Sequence, residues 1–250
     1  MKIIVCVKHV PDTETRVKIA GDGRSIDTGD VNCELNPYDT FAVEAALALK
    51  DQQENTTVTV LCLGREDSSK TIRTALAMGG DNGIRLDADP WGFDTYTVAE
   101  QLAGFIRDFA PDMVLFGKQA IDNDSGHIGP MVAEMLGMPS VSSITRLTVS
   151  DGVAQVACEV EGGMLELECR LPTVLTTDKG LNEPRYPALK GIMAAKKKEI
   201  DVRAITFSDP LIEITEMSLP EVRQERRILG RGVDAVPALL AALKDEVKVI

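Results

Sequence analysis

Residues Met113 to Pro130 read MVLFGKQAIDNDSGHIGP. The apolar run Met113 to Phe116, closed by Gly117, reads as a strand buried on both faces. A polar, glycine-bearing loop follows, and a helix is expected over residues 127–137. The unit is therefore strand, loop, helix, and it recurs toward the N-terminus. Lys2 to Val7 reads as a first strand. Asn36 then offers a helix N-cap, Pro37 a first helical residue and Asp39 an acid in the first turn, ahead of the apolar positions Phe41, Val43, Ala45, Ala46 and Leu49. Thr57 to Leu63 is a strand. Asp67-Ser68-Ser69 is expected to cap a helix running to Met78, where Gly79-Gly80 stops it. Ile84 to Leu86 is a short strand and Thr95 to Phe109 a helix. Short β-branched runs alternating with amphipathic helices predict an α/β fold, with an open, mainly parallel sheet covered by helices.

After residue 143 the pattern changes. Strand-like runs at Thr145 to Ser150, Val153 to Val160, Leu165 to Arg170 and Thr173 to Thr177 are separated by Asp151-Gly152 and Gly162-Gly163, strong turn pairs. They predict antiparallel hairpins added to the parallel core. Beyond Ile200 the periodicity weakens. Pro210, Pro220 and the charged run Glu221 to Arg227 read as an arm that needs a partner to lie on, and Val233 to Val249 as an amphipathic helix. The expected division is an α/β nucleotide-binding domain over 1–200, including the hairpins, and a C-terminal arm over 201–250.

Composition narrows the function classes. The chain has 250 residues, 44% of them hydrophobic, enough for one substantial core. With 39 acidic against 27 basic residues and a net charge of -12, a surface tracking nucleic-acid phosphates is not expected. No apolar run approaches the roughly 18 residues of a membrane span. The start, MKIIVCVKHV, has too short an apolar stretch for a signal peptide and lacks a small-residue cleavage site, so a cytoplasmic location is expected. Cys6, Cys33, Cys62, Cys158 and Cys169 are odd in number and widely spaced, so neither a disulfide framework nor a zinc site fits them.

In an open parallel sheet, ligands bind beyond the carboxyl ends of the strands. Three polar loops fall there: Lys8 to Asp12, Gly64 to Glu66, and Gly117 to Pro130. In the last, small residues allow backbone N–H groups to approach an anion, and the following helix presents its positive end. The spacing matches neither GxGxxG nor GxxxxGK[ST], so a phosphate cradle and a structural strand-to-helix turn both remain open. For Asp122 and Asp124, ribose hydrogen bonding or helix capping is favoured over a metal pair, and no metal is expected. The only histidines, His9 and His127, have no nucleophile at a recognisable spacing. No catalytic residue is assigned, and a binding or carrier protein is favoured over an enzyme.

Six stretches in order, VKHVPDT, NPYDTFAVEAAL, TIRTALAMGG, GKQAID, VEGGMLELECRLPTVLT and LNEPRYPALKGIMAAKKK, resemble the β subunit of electron transfer flavoprotein over essentially the whole chain. The resemblance implies a Rossmann-like sheet of the adenine nucleotide alpha hydrolase type and an arm extended over a partner. It implies a heterodimer with an alpha subunit that holds the redox FAD. Electrons would come from flavin dehydrogenases, such as those acting on acyl-CoA in fatty acid β-oxidation, and pass to a membrane-bound quinone oxidoreductase. It further implies AMP in this subunit, or a second FAD in the bifurcating branch with NADH as donor. Its nucleotide contacts would fall on Cys6, Asn36, Pro37, Tyr38, Asp39 and Leu63, and on Lys118, Gln119, Ala120, Ile121, Asp122, Asn123, Asp124, Ser125, Gly126, His127, Ile128 and Gly129. The longer matches are similar to the AMP-type carriers, whereas SGHIGP partly resembles the bifurcating relatives. Thr13 stands where some relatives place a tyrosine beside the alpha-subunit flavin.

The stretch 181–200 then takes on a meaning. Leu189 falls where the family's recognition loop presents a leucine to a pocket on the dehydrogenase, an apolar anchor of the kind that dominates small interfaces. Pro184 and Pro187 lower the entropy cost of presenting it. Arg185, Tyr186 and the cluster Lys196, Lys197 and Lys198 complete the expected docking surface, the cations orienting acidic partners.

Overall fold

A computed structural model describes residues 1–206, 208–220 and 226–250, apart from the side chain of Trp91. It divides into two compact units, Met1–Glu216 and Met217–Ile250. In the first unit the elements in chain order are β1 (Lys2–Cys6), β2 (His9–Pro11), β3 (Cys33–Leu35), α1 (Pro37–Gln52), β4 (Thr57–Gly64), α2 (Ser69–Met78), β5 (Asn82–Asp87), α3 (Thr95–Phe109), β6 (Met113–Gly117) and α4 (Ile128–Leu136). They continue with β7 (Ser140–Ser150), β8 (Val153–Val160), β9 (Gly163–Arg170), β10 (Thr173–Thr177), α5 (Leu189–Lys197) and β11 (Ile200–Ala204).

Nine strands form one sheet in the order β11-β5-β4-β1-β6-β10-β7-β8-β9. Every pairing from β11 to β7 is parallel, and β7 with β8 and β8 with β9 are antiparallel. The alternation of side chains along a strand explains why the middle strands must be apolar throughout. Ile3 and Val5 of β1, Val58, Val60 and Cys62 of β4, and Met113 and Leu115 of β6 pack under α1 and α2. Their neighbours Ile4, Cys6, Leu61, Leu63, Val114 and Phe116 pack under α3 and α4 on the opposite face.

The hairpins appear as expected, but β10 is not one of them. It lies inside the parallel core between β6 and β7, with all five residues buried. The run TVLTT lacks a strict apolar-polar alternation, and its three threonine hydroxyls are bonded inside: Thr173 Oγ1 donates to the Pro139 carbonyl, Thr177 Oγ1 donates to the Phe116 carbonyl, and Thr176 Oγ1 accepts from Ser143 N–H. β11 also departs from expectation: it pairs in parallel with β5, so the sheet extends past the division expected at residue 200. Of the expected caps, Ser68 makes no side-chain bond to α2; a turn of 3₁₀ helix, Glu66–Ser68, precedes that helix instead. Asp94, by contrast, accepts from Thr97 N–H at the start of α3 and, through Oδ2, from the N–H groups of Leu211 and Ile212.

In the second unit the expected helix is α6 (Val236–Ala241), preceded by a 3₁₀ turn at Val233–Ala235 and continued as a π-helix over Ala242–Val247. Val233, Leu239, Leu240 and Val247 are exposed. Of the charged run expected at Glu221 to Arg227, residues 221–225 lie outside the described residues. Among the described residues, no helix is long and apolar enough to cross a membrane.

Residues 181–200 are not all loop. After an irregular segment the chain forms α5, which packs on α2, and Gly191 is the contact point: a Cβ there would drive into the Ala77 carbonyl of α2. Gly191→Ala is therefore expected to cost about 1–3 kcal/mol by overpacking. Thermal melts should show the loss, and limited proteolysis should cut first within 181–200. A melting temperature unchanged from wild type would mean that the two helices do not touch there.

Candidate functional site

From β1 the chain runs to β4 and β5 on one side, then crosses to β6 on the other side of β1. The strand order reverses between β1 and β6, and a crevice at the carboxyl ends of two such strands is where an α/β sheet binds ligands. The loops that follow these two strands are fastened to each other and to the start of α1.

Asp39 is the centre of that fastening. Its carboxylate is buried and accepts from three segments: Lys8 N–H to Oδ2 at 2.7 Å, Gly117 N–H to Oδ1 at 3.1 Å, and the Asn36 side-chain amide to Oδ1 at 2.9 Å. The fit is close, since a Cβ on Gly117 would overlap Asp39 Oδ1 and lie 2.6 Å from the Tyr38 carbonyl carbon. Only glycine permits the end of β6 to meet the start of α1. Asn36 acts beside it. Rather than capping α1, its amide donates to the Gln119 carbonyl at 2.9 Å and its Oδ1 accepts from Ile121 N–H at 3.2 Å.

Two ion pairs complete the fastening. Lys8 Nζ lies 2.7 Å from both carboxylate oxygens of Asp122, joining the loops after β1 and β6 across the crevice. Lys118 Nζ donates to Asp178 beyond β10 at 2.9 Å and sits 5.1 Å from the centre of the Tyr38 ring. Lys8 was expected only as part of the loop Lys8 to Asp12, and Asp178 not at all. Asp178 could be found only by recognising β10 as a core strand whose carboxyl end faces the same crevice.

The remaining expected residues lie around this frame. Cys6 and Leu63 are buried near the ends of β1 and β4 on the α3 and α4 face. Ala120 N–H donates to the Ser125 carbonyl, and Asn123 Oδ1 accepts from Ser125 N–H. Asp122 and Asp124 do not cap α4: the first pairs with Lys8, and the second accepts from the Gln119 amide at 2.9 Å. His127, at the N-cap of α4, makes no cap bond; its Nδ1 lies 3.1 Å from Ser125 Oγ. Gly129 is buried, and the position requires glycine because a Cβ would fall 2.5 Å from the Thr176 methyl, a packing demand of the fold itself. Gly126, His127 and the first turn of α4 are what the loop offers to a ligand, with N–H groups that have no partner inside the helix. Of the two acids in the loop, Asp122 is engaged by the Lys8 ammonium and Asp124 by the neutral Gln119 amide.

Among the described residues, no group of three or more His, Cys, Asp or Glu is placed to hold a metal ion. His9 Nδ1 lies 2.7 Å from Thr71 Oγ1, and burial lowers the ring below its ordinary value.

The residues expected to dock a partner form a second region. Leu189 is 77% and Tyr186 96% exposed, with Met193 of α5 also exposed. Arg185 is held within the chain: Nε and Nη2 donate to Glu44, and Nη2 to Asp51 at 2.9 Å, fixing the segment to α1. Lys198 donates to the Gly80 carbonyl, while Lys196 and Lys197 are exposed.

Burial pushes Asp39 up to about 7, against the pull of Asn36, the N–H groups of Lys8 and Gly117, and the Lys8 charge. In the unfolded chain the same group ionises near 4. Between those values the folded protein holds a proton that the unfolded chain has lost, so the contribution of Asp39 to stability is largest below pH 4 and falls as the pH rises to 7. The slope is at most about 1.4 kcal/mol per pH unit. The stability of wild type minus that of Asp39→Asn, from denaturant titrations between pH 5 and 8.5, should fall to about pH 7 and then level. A difference that rises with pH would reverse the assignment.

Residues 24–208 match the electron transfer flavoprotein domain family. The electron transfer flavoprotein subunit beta of Syntrophomonas wolfei is 40% identical over 223 residues, covering 89% of this chain and 87% of its own. The subunit beta of Bradyrhizobium diazoefficiens is 37% identical over 252 residues and that of Bacillus subtilis 35% identical over 260, in both cases covering the full length of the two chains.

Proposed function

The chain belongs to the electron transfer flavoprotein family, on the side of its beta subunits, and from that premise we propose that it is the nucleotide-binding, partner-docking half of a heterodimeric electron carrier. The alpha subunit holds the redox FAD. The heterodimer takes electrons from flavin dehydrogenases, such as those acting on acyl-CoA, and delivers them to a membrane-bound quinone oxidoreductase. This subunit performs no catalysis and works in the cytoplasm. The observation that carries the reading is the crevice between β1 and β6, where a fastened loop presents the uncapped start of α4. AMP, the ligand of the plain carriers, occupies that crevice with its phosphate toward Gly126 to Gly129, and it serves structure rather than chemistry. A second FAD in the same crevice is the competing reading, favoured by the stretch SGHIGP from Ser125 to Pro130.

Mass spectrometry of the small molecules released from the denatured heterodimer separates the two readings. AMP and FAD in equal amounts are expected. FAD alone, at two per heterodimer, would give the crevice to the bifurcating cofactor, and FAD alone at one would leave it without a nucleotide. In Gly126→Val the new side chain would begin 3.1 Å from the Lys118 carbonyl and crowd the cradle, so nucleotide recovery should fall to near zero; unchanged recovery would move the phosphate elsewhere.

Docking is assigned to Leu189, presented at the first turn of α5 with Tyr186 and Met193 beside it, and Lys196 and Lys197 steer acidic partners. Of the residues expected in the arm, those of the unit Met217–Ile250, with its exposed apolar helix, pack on the alpha subunit. Leu189→Ala should slow electron transfer from a dehydrogenase about tenfold, the loss expected of one anchor residue. The flavin spectrum and the heterodimer should be intact. Loss of flavin instead would make the residue structural.

A further inference from the structure

Asp94 divides one carboxylate between two tasks. Its Oδ1 accepts from Thr97 N–H at 2.8 Å, which caps α3. Its Oδ2 accepts from Leu211 N–H at 2.7 Å and from Ile212 N–H at 2.9 Å, 117 and 118 residues away in the chain. Two successive backbone N–H groups converging on one anionic oxygen make a charge-assisted grip, stronger than the same bonds to a neutral acceptor. The segment is tied at two further points. Ser208 Oγ donates to Glu100 of α3 at 2.6 Å, and Arg24 donates to Glu213 at 2.9 Å. Upstream, Ile205 packs into the apolar layer under α3 and α4. The side chains carried by this tied backbone are nevertheless left in solvent: Leu211 and Ile212 are each 71% exposed and Ile214 is 48% exposed.

We propose that Asp94 is a positioning residue for subunit assembly: its Oδ2 fixes the backbone at Leu211 and Ile212 so that Leu211, Ile212 and Ile214 meet the alpha subunit as an apolar strip. Contiguous exposed apolar side chains mark a contact surface, and a backbone already held loses little to ordering on association. Two observations select the alpha subunit as the occupant. The strip is rooted on α3, whereas Leu189 stands on α5, which packs on α2 over the opposite face of the sheet. A dehydrogenase seated at Leu189 is thus on the other side. The chain also runs from the strip directly into Met217–Ile250, the unit assigned above to the alpha subunit. Cap and grip are chemically separable. Asparagine caps a helix as well as aspartate does, but it has one oxygen, so when that oxygen serves Thr97 its amide nitrogen sets a donor against the two arm N–H groups.

The inference rests on the heterodimer reading, and the experiment keeps the two apart. The dissociation constant of the full-length chain for the alpha subunit is measured alongside hydrogen exchange and thermal melting of the chain alone. In Asp94→Asn, exchange at the Leu211 and Ile212 amides should speed up about tenfold, as expected for the loss of bonds to a charged acceptor. The dissociation constant should rise about tenfold, and the melting temperature should hold. Leu211→Ser combined with Ile212→Ser should weaken association as much while leaving exchange at both positions slow, once corrected for intrinsic rates. Adding Asp94→Asn to that pair should weaken it little further, because both changes act through one strip. Unchanged exchange in Asp94→Asn overturns the grip, and an unchanged dissociation constant or fully additive losses overturn its role in assembly. If Asp94→Asn melts early, the serine pair decides, since it leaves the α3 cap intact: association as tight as wild type overturns the proposal. A wild type that binds no alpha subunit would overturn the heterodimer reading and the proposal with it, whereas unaffected variants of a binding wild type overturn the proposal alone.

Discussion

The geometry of the crevice depends on burying one carboxylate where three chain segments meet. A buried ionised acid is tolerated only when its lone pairs are met by donors. At Asp39 those donors are the backbone of Lys8, the backbone of Gly117 and the amide of Asn36. Each comes from a different segment, so satisfying the acid sets the spacing between the end of β1, the end of β6 and the start of α1. Gly117 follows from the same demand, as no larger residue allows the approach. The loop 118–129 is then positioned by Asn36 and by two ion pairs whose cations stand next to these anchors in sequence.

This arrangement runs against fold stability. Burial holds Asp39 at about 7, so its charge at higher pH is carried at the expense of the folded state. A neutral residue of similar size would relieve that cost and would leave the Lys8 N–H without an acceptor. Strain retained at one point, and offset by the two apolar layers on either side of the sheet, is what a functional position looks like in energetic terms.

The sheet core was legible in the sequence because a strand covered on both faces reads as a nearly continuous apolar run, as β1, β4 and β6 do apart from Lys2, Thr57 and Thr59. Local pattern assigns β10 to the hairpins because the turn pairs Asp151-Gly152 and Gly162-Gly163 set a rhythm that TVLTT continues, although no such pair stands between β9 and β10. β11 was hidden differently, since IDVRA lies at an edge, is exposed from Asp201 to Ala204 and carries two charges. In the site, Asn36 and Asp39 were recognised by position and misread by role. Helix-start residue types announce local bonds, whereas both side chains here bond across more than seventy residues to the loop after β6. No local pattern encodes that partnership; it arises only when the sheet brings the strand ends together.

The exposed region at Tyr186 and Leu189 obeys the opposite logic, and the contrast explains why both can exist in one small unit. In the crevice, polar groups face inward and are paired. On α5, apolar groups face outward, and the polar groups nearby are used to hold the backbone: Arg185 on Glu44 and Asp51, Asn182 on the Phe41 carbonyl, Lys198 on the Gly80 carbonyl. An exposed leucine on a mobile loop would lose its contact energy to ordering on association. Here the segment before Leu189 is tied to α1, the helix after it is seated on α2 through Gly191, and two prolines restrict the chain between. The cations of 181–200 thus divide by task, with Arg185 and Lys198 turned to the fold and Lys196 and Lys197 left at the surface. A basic patch in an acidic chain is in this sense half scaffold, and the scaffold half is what makes an exposed apolar anchor worth presenting.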